Sequence, residues 1–315
     1  MVNVTVEIAP GEVGEHERTP TSSELFGARM MPLDVTAPTG YVPCNPSILR
    51  RPQGGWLCSV RVVDYRLGVP CKTASSRNLL VELDEGLQIR SSREFHDVSG
   101  LPKNQRAKNT GFEDLRLYSA YGLTFALATA CDIANGGGLP EMCRLAIGKN
   151  GTIEGGQVLR GPWSRFPQKN WTPVDNGRGD ALYRIYPTLV MQPDFHQRWL
   201  DGRAAELDAY DFMSASVRGG SQAISWDDGY LAIVHEHKTK RPLSYVHRFV
   251  WFDKDLVARK VSRDFVWLAG GVEFCAGLAT DGEKMVATFG VHDCRAYLTT
   301  FSPADVSAIL KALEG

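Results

Sequence analysis

Two acids and a guanidinium stand together at Glu113-Asp114-Leu115-Arg116. A carboxyl group in a partly dry pocket has its pKa raised and serves as a general acid, which makes Asp114, flanked by Glu113 and Arg116, the leading catalytic candidate. Adjacent strand residues point to opposite faces, so only one of the two acids enters a shared cavity directly. The other is left to pair with Arg116 or the backbone. Taken alone, the pair reads first as exposed acids at a strand start; its position in the chain reverses that.

Other segments carry groups of the same kind. Lys169-Asn170-Trp171-Thr172-Pro173 offers a cation, an amide and an aromatic face. Sugars suit such a set, because indole stacks on their C–H faces while amides and charges bind hydroxyls; the plainer alternative is a core Trp beside a surface Lys. In Arg218-Gly219-Gly220-Ser221-Gln222, two glycines precede a hydroxyl and an amide, allowing close approach to a ligand or simply a tight strand start. Glu273 and Asp293 are candidate second carboxylates, and His292 adjoins Asp293 as a binding residue or a structural hydrogen-bonding partner. His235 and His237 share one face of a strand, with His247 near in sequence, but no third ligand and carboxylate complete a metal set. No metal or cofactor is expected, and no phosphate-binding loop, dinucleotide fingerprint, GxSxG or HExxH occurs.

The elements that must position these residues announce themselves as a repeat. Copies open at Asn45, Glu113, Asn170, Gly220 and Glu273, and each carries a glycine nine positions later: Gly54, Gly122, Gly179, Gly229 and Gly282. Each reads as a β-hairpin with glycine supplying a positive φ at the turn. The copies start 68, 57, 50 and 53 residues apart. A period near 50 in a strand-rich chain predicts propeller blades. The fold class expected is all-β: a five-bladed β-propeller of four-stranded blades with a short C-terminal helix. A propeller gathers equivalent ends of its inner strands about one axis, so Asn45, Glu113-Asp114, Lys169-Asn170-Trp171, Ser221-Gln222 and Glu273 converge on one pocket.

The chain has 315 residues, 43% hydrophobic and 23% charged, with a formal net charge of −1. That balance gives no electrostatic case for nucleic acid or an anionic membrane. No apolar run approaches the ~20 residues of a membrane span, and the N-terminus lacks the basic start and apolar core of a signal peptide. Seven cysteines without CxxC read as reduced thiols in a cytoplasm. Residues 1–36 are read as an extension that adds a strand or a strap, 37–301 as the propeller, and 302–315 as a helix with Ser302 as N-cap and Pro303 at N1. Residues 192–212 are read as an insertion overhanging the pocket.

The order NPSI, GFEDLRL, KNWTP, RGGSQA, VEFCAGLA, GVHDC resembles the five-bladed propeller enzymes of glycoside hydrolase family 130, which include β-mannoside phosphorylases, β-mannosidases and related β-mannosyltransferases. The resemblance covers about residues 41–300 and is most specific at Glu113-Asp114-x-Arg116 and Lys169. It implies that Asp114 is the general acid, acting through a sugar hydroxyl, and that Lys169 helps to bind phosphate. Two departures stand out. The Arg-Asn pair of the phosphorylases is replaced here by ATACDIANGGG, and their histidine after the third-blade hairpin by Tyr186-Pro187. A phosphate dianion needs several donors and positive charges, so the departures point away from phosphorolysis. The expectation is an inverting enzyme that cleaves or transfers a β-linked, mannosyl-like hexosyl unit, with phosphate or a nucleotide sugar as possible partner. Asp114 would be acid/base, and Glu113, Arg116 and Lys169 would tune its charge. Asn45, Asn170, Trp171, Ser221, Gln222 and His292 would bind substrate. Glu273 or Asp293 would activate water if about 6.5–9.5 Å from Asp114. The rival from another class is a non-catalytic sugar-binding propeller.

Overall fold

The computed structural model describes residues 18–313 apart from 67, 70, 71, 134–138, 163–166, 187, 193–196, 200–216, 241 and 242. The strands form five sheets, one per sequence repeat, antiparallel apart from two short parallel pairings, His96–Asp97 with Thr152–Leu159 and Asn109–Thr110 with Ala74–Leu83. Blade 1 runs outward through Val42–Arg50, Trp56–Val63, Ala74–Leu83 and Ile89–Glu94. Blade 2 comprises Phe112–Ala120, Leu123–Ala130, Glu141–Ile147 and Thr152–Leu159, and blade 3 comprises Thr172–Pro173, Ala181–Arg184, Leu189–Met191 and Gln197–Trp199. In blade 4 two short pieces, Val217–Gly219 and Ile224–Trp226, both pair with Gly229–Lys240, followed by Leu243–Phe252 and Ala258–Val261. Blade 5 comprises Glu273–Thr280, Met285–Val291 and Arg295–Phe301. The inner strands therefore begin within three residues of the expected heads.

The hairpin turns follow the expected chemistry in four blades. Gly54, Gly122, Gly179 and Gly282 have φ of 96°, 72°, 76° and 95°, a region that costs glycine little. In blade 4 the positive φ falls instead on Asp227 (55°). Gly229 serves a different need there, since a Cβ on it would sit 2.1 Å from the Phe252 carbonyl oxygen.

Both ends of the described segment are woven into the ring. The fourth strand of blade 5 is Arg29–Pro32, paired antiparallel with Arg295–Phe301. Part of the expected extension is thus a structural strand of the propeller, and closing a blade with a strand from the other end of the chain removes an exposed sheet edge. The helix Ser22–Phe26 before it begins with a capping box in which Thr21 and Glu24 satisfy each other's backbone N–H. It drives Phe26 edge-on against Phe249, Phe265 and Phe301 at 5.1–5.3 Å. The C-terminal helix is shorter than the 302–315 expected. It runs Pro303–Ile309 from the Ser302 cap, and Leu310 turns extended. Lys311–Ala312 then pairs with Ala258–Val261 at the edge of blade 4, and the Leu313 N–H bonds the Arg259 carbonyl at 2.8 Å. The edge of blade 4 offers hydrogen bonds and an apolar seat for Leu313, which a further helical turn in solvent lacks. The expected overhang at 192–212 lies largely outside the described residues; within it Gln197–Trp199 is the outer strand of blade 3.

Polar side chains stitch neighbouring blades together. The Ser47 hydroxyl accepts from Leu117 N–H at 2.9 Å, and the Thr288 hydroxyl donates to the Pro46 carbonyl at 2.6 Å. Phe26 is 3% exposed at the junction of aromatic rings from blades 4 and 5. Phe26→Ala is expected to destabilise the protein by about 3–5 kcal/mol through the lost burial and the cavity left behind. Chemical denaturation measures this, and a loss below about 1 kcal/mol would show that the N-terminal strap is not part of the core.

Candidate active site

The inner strands do not run regularly through the repeat heads. Register shifts occur between Cys44 and Ser47, between Glu113 and Arg116, and between Cys275 and Gly277. Asn45, Asp114 and Asn170, at the heads of the first three blades, have φ of 43°, 52° and 62°. Asn and Asp are the non-glycine residues most tolerant of this region, yet the conformation still costs of order 1 kcal/mol each, and such strain gathers at functional sites. A bulge re-aims side chains. That corrects the expectation that Glu113 and Asp114 point to opposite faces: both border the same cavity.

This cavity, of about 270 Å³, is bordered by residues from all five blades, among them Asn45, Glu113, Asp114, Lys169, Asn170 and Asp293. Those are six of the residues singled out from the sequence. Arg61, from the second strand of blade 1, reaches both acids of the motif: Nη1 lies 3.1 Å from Asp114 Oδ1 and Nη2 lies 3.4 Å from Glu113 Oε1. Asn45 Nδ2 donates to Asp114 Oδ1 at 3.0 Å. The Tyr65 hydroxyl donates to Asp293 Oδ2 at 3.1 Å and stands 3.5 Å from Arg61 Nη2. One guanidinium, one amide and one phenol thus link the three carboxylates.

The acids titrate in opposite directions. Burial pushes Asp114 up, but Arg61, Arg116 and the Asn45 amide outweigh it, and its carboxyl is held below the usual carboxylate range. The expectation of a raised Asp114 is corrected by these two guanidiniums. Glu113 is the raised member of the pair, through burial and the charges of Asp114 and Asp293, against Arg61 and Lys169. Asp293 is raised too, by burial and the charge of Asp114, against Arg61 and hydrogen bonds from Tyr65 and Asn45. Groups whose environments drive their pKa values apart can divide acid and base roles.

The remaining candidates sit elsewhere. Arg116 is fully buried beneath the cavity, with Nε 2.5 Å from the Gly220 carbonyl and Nη2 3.0 Å from Asn170 Oδ1. Glu273 is 1% exposed and does not border the cavity. Its carboxylate accepts the backbone N–H groups of Trp267, Leu268, Ala269 and Gly270 at 2.6–3.1 Å. It organises a loop and is not placed to activate water. Gln222 is fully buried, accepting from Leu278 N–H at 3.2 Å and donating to the Ile48 carbonyl. Ser221, also buried, accepts from Ile233 N–H at 2.9 Å. Both bind backbone where substrate contact was expected. Trp171 is 2% exposed and packs edge-on against Tyr183 at 4.9 Å. It borders a neighbouring cavity of about 250 Å³ that shares Lys169, Asn170, Arg218 and His237 with the first. His292 is exposed in the turn after Met285–Val291, outside the cavity wall.

Sequence reasoning missed Arg61, Tyr65, Tyr245 and Phe274 on the wall. Arg61 left a signal, being the lone charge within the apolar run WLCSVRVV. His235 and His237, weighed as metal ligands, border the cavity. Among the described residues no helix is long and apolar enough to cross a membrane.

The fold is found in solved structures of glycoside hydrolases and mannoside phosphorylases. The fold is shared with β-1,2-mannobiose phosphorylase from Listeria innocua, solved with β-1,2-mannobiose, at a TM-score of 0.61 and 14% identity over 92% of this chain and 98% of that one. It is shared with MPT-4, a mannose phosphorylase from Leishmania mexicana solved with phosphate, at 0.53 and 14% over 91% of each chain. A glycosyl hydrolase from Bacteroides ovatus aligns at 0.59 and 12% over 84% and 85% of the two chains. No protein-family model matches the chain, and no match was found among curated proteins.

The opposed titrations give a test with a sign. Asp114 has a depressed folded pKa, so its contribution is present above its unfolded pKa and lost as pH falls through the folded value. Asp114→Asn strips Arg61 and Arg116 of a counter-charge and is expected to cost about 3 kcal/mol at pH 7. Asp293 is raised, so its charge disfavours the fold above its folded pKa. Asp293→Asn is expected to leave the melting temperature at pH 7 equal to or above wild type, the gain vanishing below about pH 4. Thermal melts across pH check both; a greater loss from Asp293→Asn than from Asp114→Asn contradicts the charge assignment.

Proposed function

We propose that this propeller is a carbohydrate-active enzyme that cleaves or transfers a β-linked hexosyl unit, mannosyl-like, in the axial cavity with inversion. The observation that carries the reading is the convergence of Glu113, Asp114 and Asp293 on one cavity around Arg61, with Asp114 held ionised and its two neighbours held toward the neutral form. Bond cleavage at a glycosidic oxygen needs a proton delivered to the leaving oxygen and one taken from the attacking group. Asp114 is the acid/base of the proposal. It begins as the proton acceptor, and Asp293, joined to it through Asn45 and with its pKa raised by burial, is the proton donor of the proposal. Glu113 and Lys169 set the charge around the reacting group, and Asn45 and Asn170 bind sugar hydroxyls.

Transfer or hydrolysis is favoured over phosphorolysis. The support is the chain's departure from the phosphorylase pattern, with no arginine in ATACDIANGGG and Tyr186-Pro187 in place of a histidine. Lys169 remains available to a phosphate or to the diphosphate of a nucleotide sugar.

The experiment is a screen for reducing-sugar or phosphate release from β-mannosides, with sugar 1-phosphates and nucleotide sugars as alternative donors. On the substrate found, Asp114→Asn is expected to lower kcat by roughly 10²–10⁴-fold while sugar binding persists. Wild-type turnover in that variant would move the acid/base elsewhere. Lys169→Ala is expected to raise KM for a phosphorylated partner and to matter little when water is the acceptor. Sugar binding without turnover on any donor would leave the non-catalytic sugar-binding propeller as the function.

A further inference from the structure

The cavity wall facing the carboxylates belongs to blades 4 and 5 and carries a different chemistry. We propose that His235 and Tyr245 form a recognition pair for one neutral hydroxyl group of the substrate; this rests on the carbohydrate reading above and names how blade 4 selects within it.

His235 lies on Gly229–Lys240 and Tyr245 on the adjacent Leu243–Phe252, His237 standing opposite Tyr245 in the register. Both His235 and Tyr245 border the cavity. His235 is 2% exposed, its Nδ1 is buried without a hydrogen-bond partner, and among the described residues neither ring nitrogen bonds protein. An unpartnered buried polar group costs stability unless something else supplies the bond. Burial, followed by His247, His237, Arg116 and Arg218, pushes the His235 pKa well below the usual histidine value. The ring is therefore neutral and offers one donor and one acceptor.

Tyr245 is half-buried, its ring stacked on His237 at 4.7 Å and tilted against His235 at 5.2 Å. Among the described residues no protein group accepts from its hydroxyl. Burial, aided by the charges of Asp293 and Asp114, pushes the phenol up to about 12, so it stays an O–H donor at any working pH. Phe274, edge-on to His235 at 5.0 Å, adds apolar surface beside the pair.

This combination selects a ligand class. A sugar hydroxyl donates one hydrogen bond and accepts others, so it can take the Tyr245 proton and engage the His235 ring at once. A phosphate dianion only accepts; Arg61, Lys169 and Arg218 border the cavity and can balance its charge, but the neutral imidazole of the pair adds none, and the Asp293 and Asp114 carboxylates border the same cavity. A carbon-bound hydroxyl on an otherwise apolar sugar face, laid toward Phe274, meets Tyr245, His235 and the phenyl ring together. Stacking on Trp171, as read from the sequence, is replaced by this pair, because the indole is enclosed.

The test is calorimetric binding of methyl β-mannopyranoside and the full set of its monodeoxy analogues to wild type and to Tyr245→Phe, which keeps the ring and removes only the donor. Tyr245→Phe is expected to bind the parent glycoside about 3- to 10-fold more weakly with an unchanged melting temperature. One deoxy analogue is expected to lose comparable affinity for wild type and to lose nothing further on Tyr245→Phe. Equal binding of the parent glycoside by the two proteins overturns the pair while leaving the carbohydrate reading intact. Inorganic phosphate that competes with wild type and loses that competition in Tyr245→Phe overturns it as well, since the pair would then serve an anion. Failure of wild type to bind any of these glycosides overturns the carbohydrate reading and the pair together.

Discussion

A guanidinium without solvent contact ties the head of blade 2 to blades 3, 4 and 5, and much of the site is arranged around it. Arg116 bonds the Gly220 carbonyl of blade 4 and the Asn170 side chain of blade 3, and lies over the Phe274 ring of blade 5 at 5.4 Å. A buried charge is tolerated only when paired and hydrogen-bonded. Burial lowers the Arg116 pKa, and the charge of Asp114 opposes it. Asp114 is therefore required as a carboxylate by the architecture, before any chemistry is considered. Its left-handed backbone, and those of Asn45 and Asn170, mark the three repeat heads that border the one cavity, with Asn170 on Arg116 and Asn45 on Asp114.

The same constraint divides the cavity. Burial first, and then the charge of Asp114 held ionised between Arg61 and Arg116, makes Glu113 and Asp293 keep their protons to higher pH. On blade 4, His235 is pushed down and Tyr245 pushed up until neither carries charge near pH 7, and the guanidinium of Arg218 borders the cavity beside them. One side of the cavity carries the groups that can move protons and the other carries neutral hydrogen-bonding rings beside one guanidinium, a separation that suits a polyol at a reacting bond.

The blade count and the inner-strand starts were legible because a propeller repeats its turn chemistry, and the glycines nine residues into each copy mark it. Asn45, Glu113, Asp114, Lys169, Asn170 and Asp293 were legible from polar types at those heads and at the close of the last hairpin. Three other placements were not. Glu273 occupies an equivalent head, yet its carboxylate is drawn inward by four backbone N–H groups of a loop whose path no local pattern reveals. Gln222 and Ser221 fall where the inner strand of blade 4 is interrupted between Val217–Gly219 and Ile224–Trp226, and their side chains bond the backbone there. The shared face of Glu113 and Asp114 depends on a bulge, which breaks the strand alternation that sequence reading assumes. Arg61, Tyr65 and Tyr245 come from second and third strands and the loops beyond, and reach the axis through side-chain length rather than position in the repeat.

The central claim is that Arg61 and Arg116 hold Asp114 as the ionised member of a set whose other carboxyls favour the proton. Carbon-13 NMR titration of the side-chain carboxyls in the unliganded protein tests it most directly, with Asp114, Asp293 and Glu113 assigned through single amide variants. The account predicts that Asp114 titrates below the usual aspartate range and that Asp293 and Glu113 titrate above theirs. An Asp114 midpoint above that of Asp293 would contradict it, and would remove the division of proton donor and acceptor on which the proposed chemistry stands.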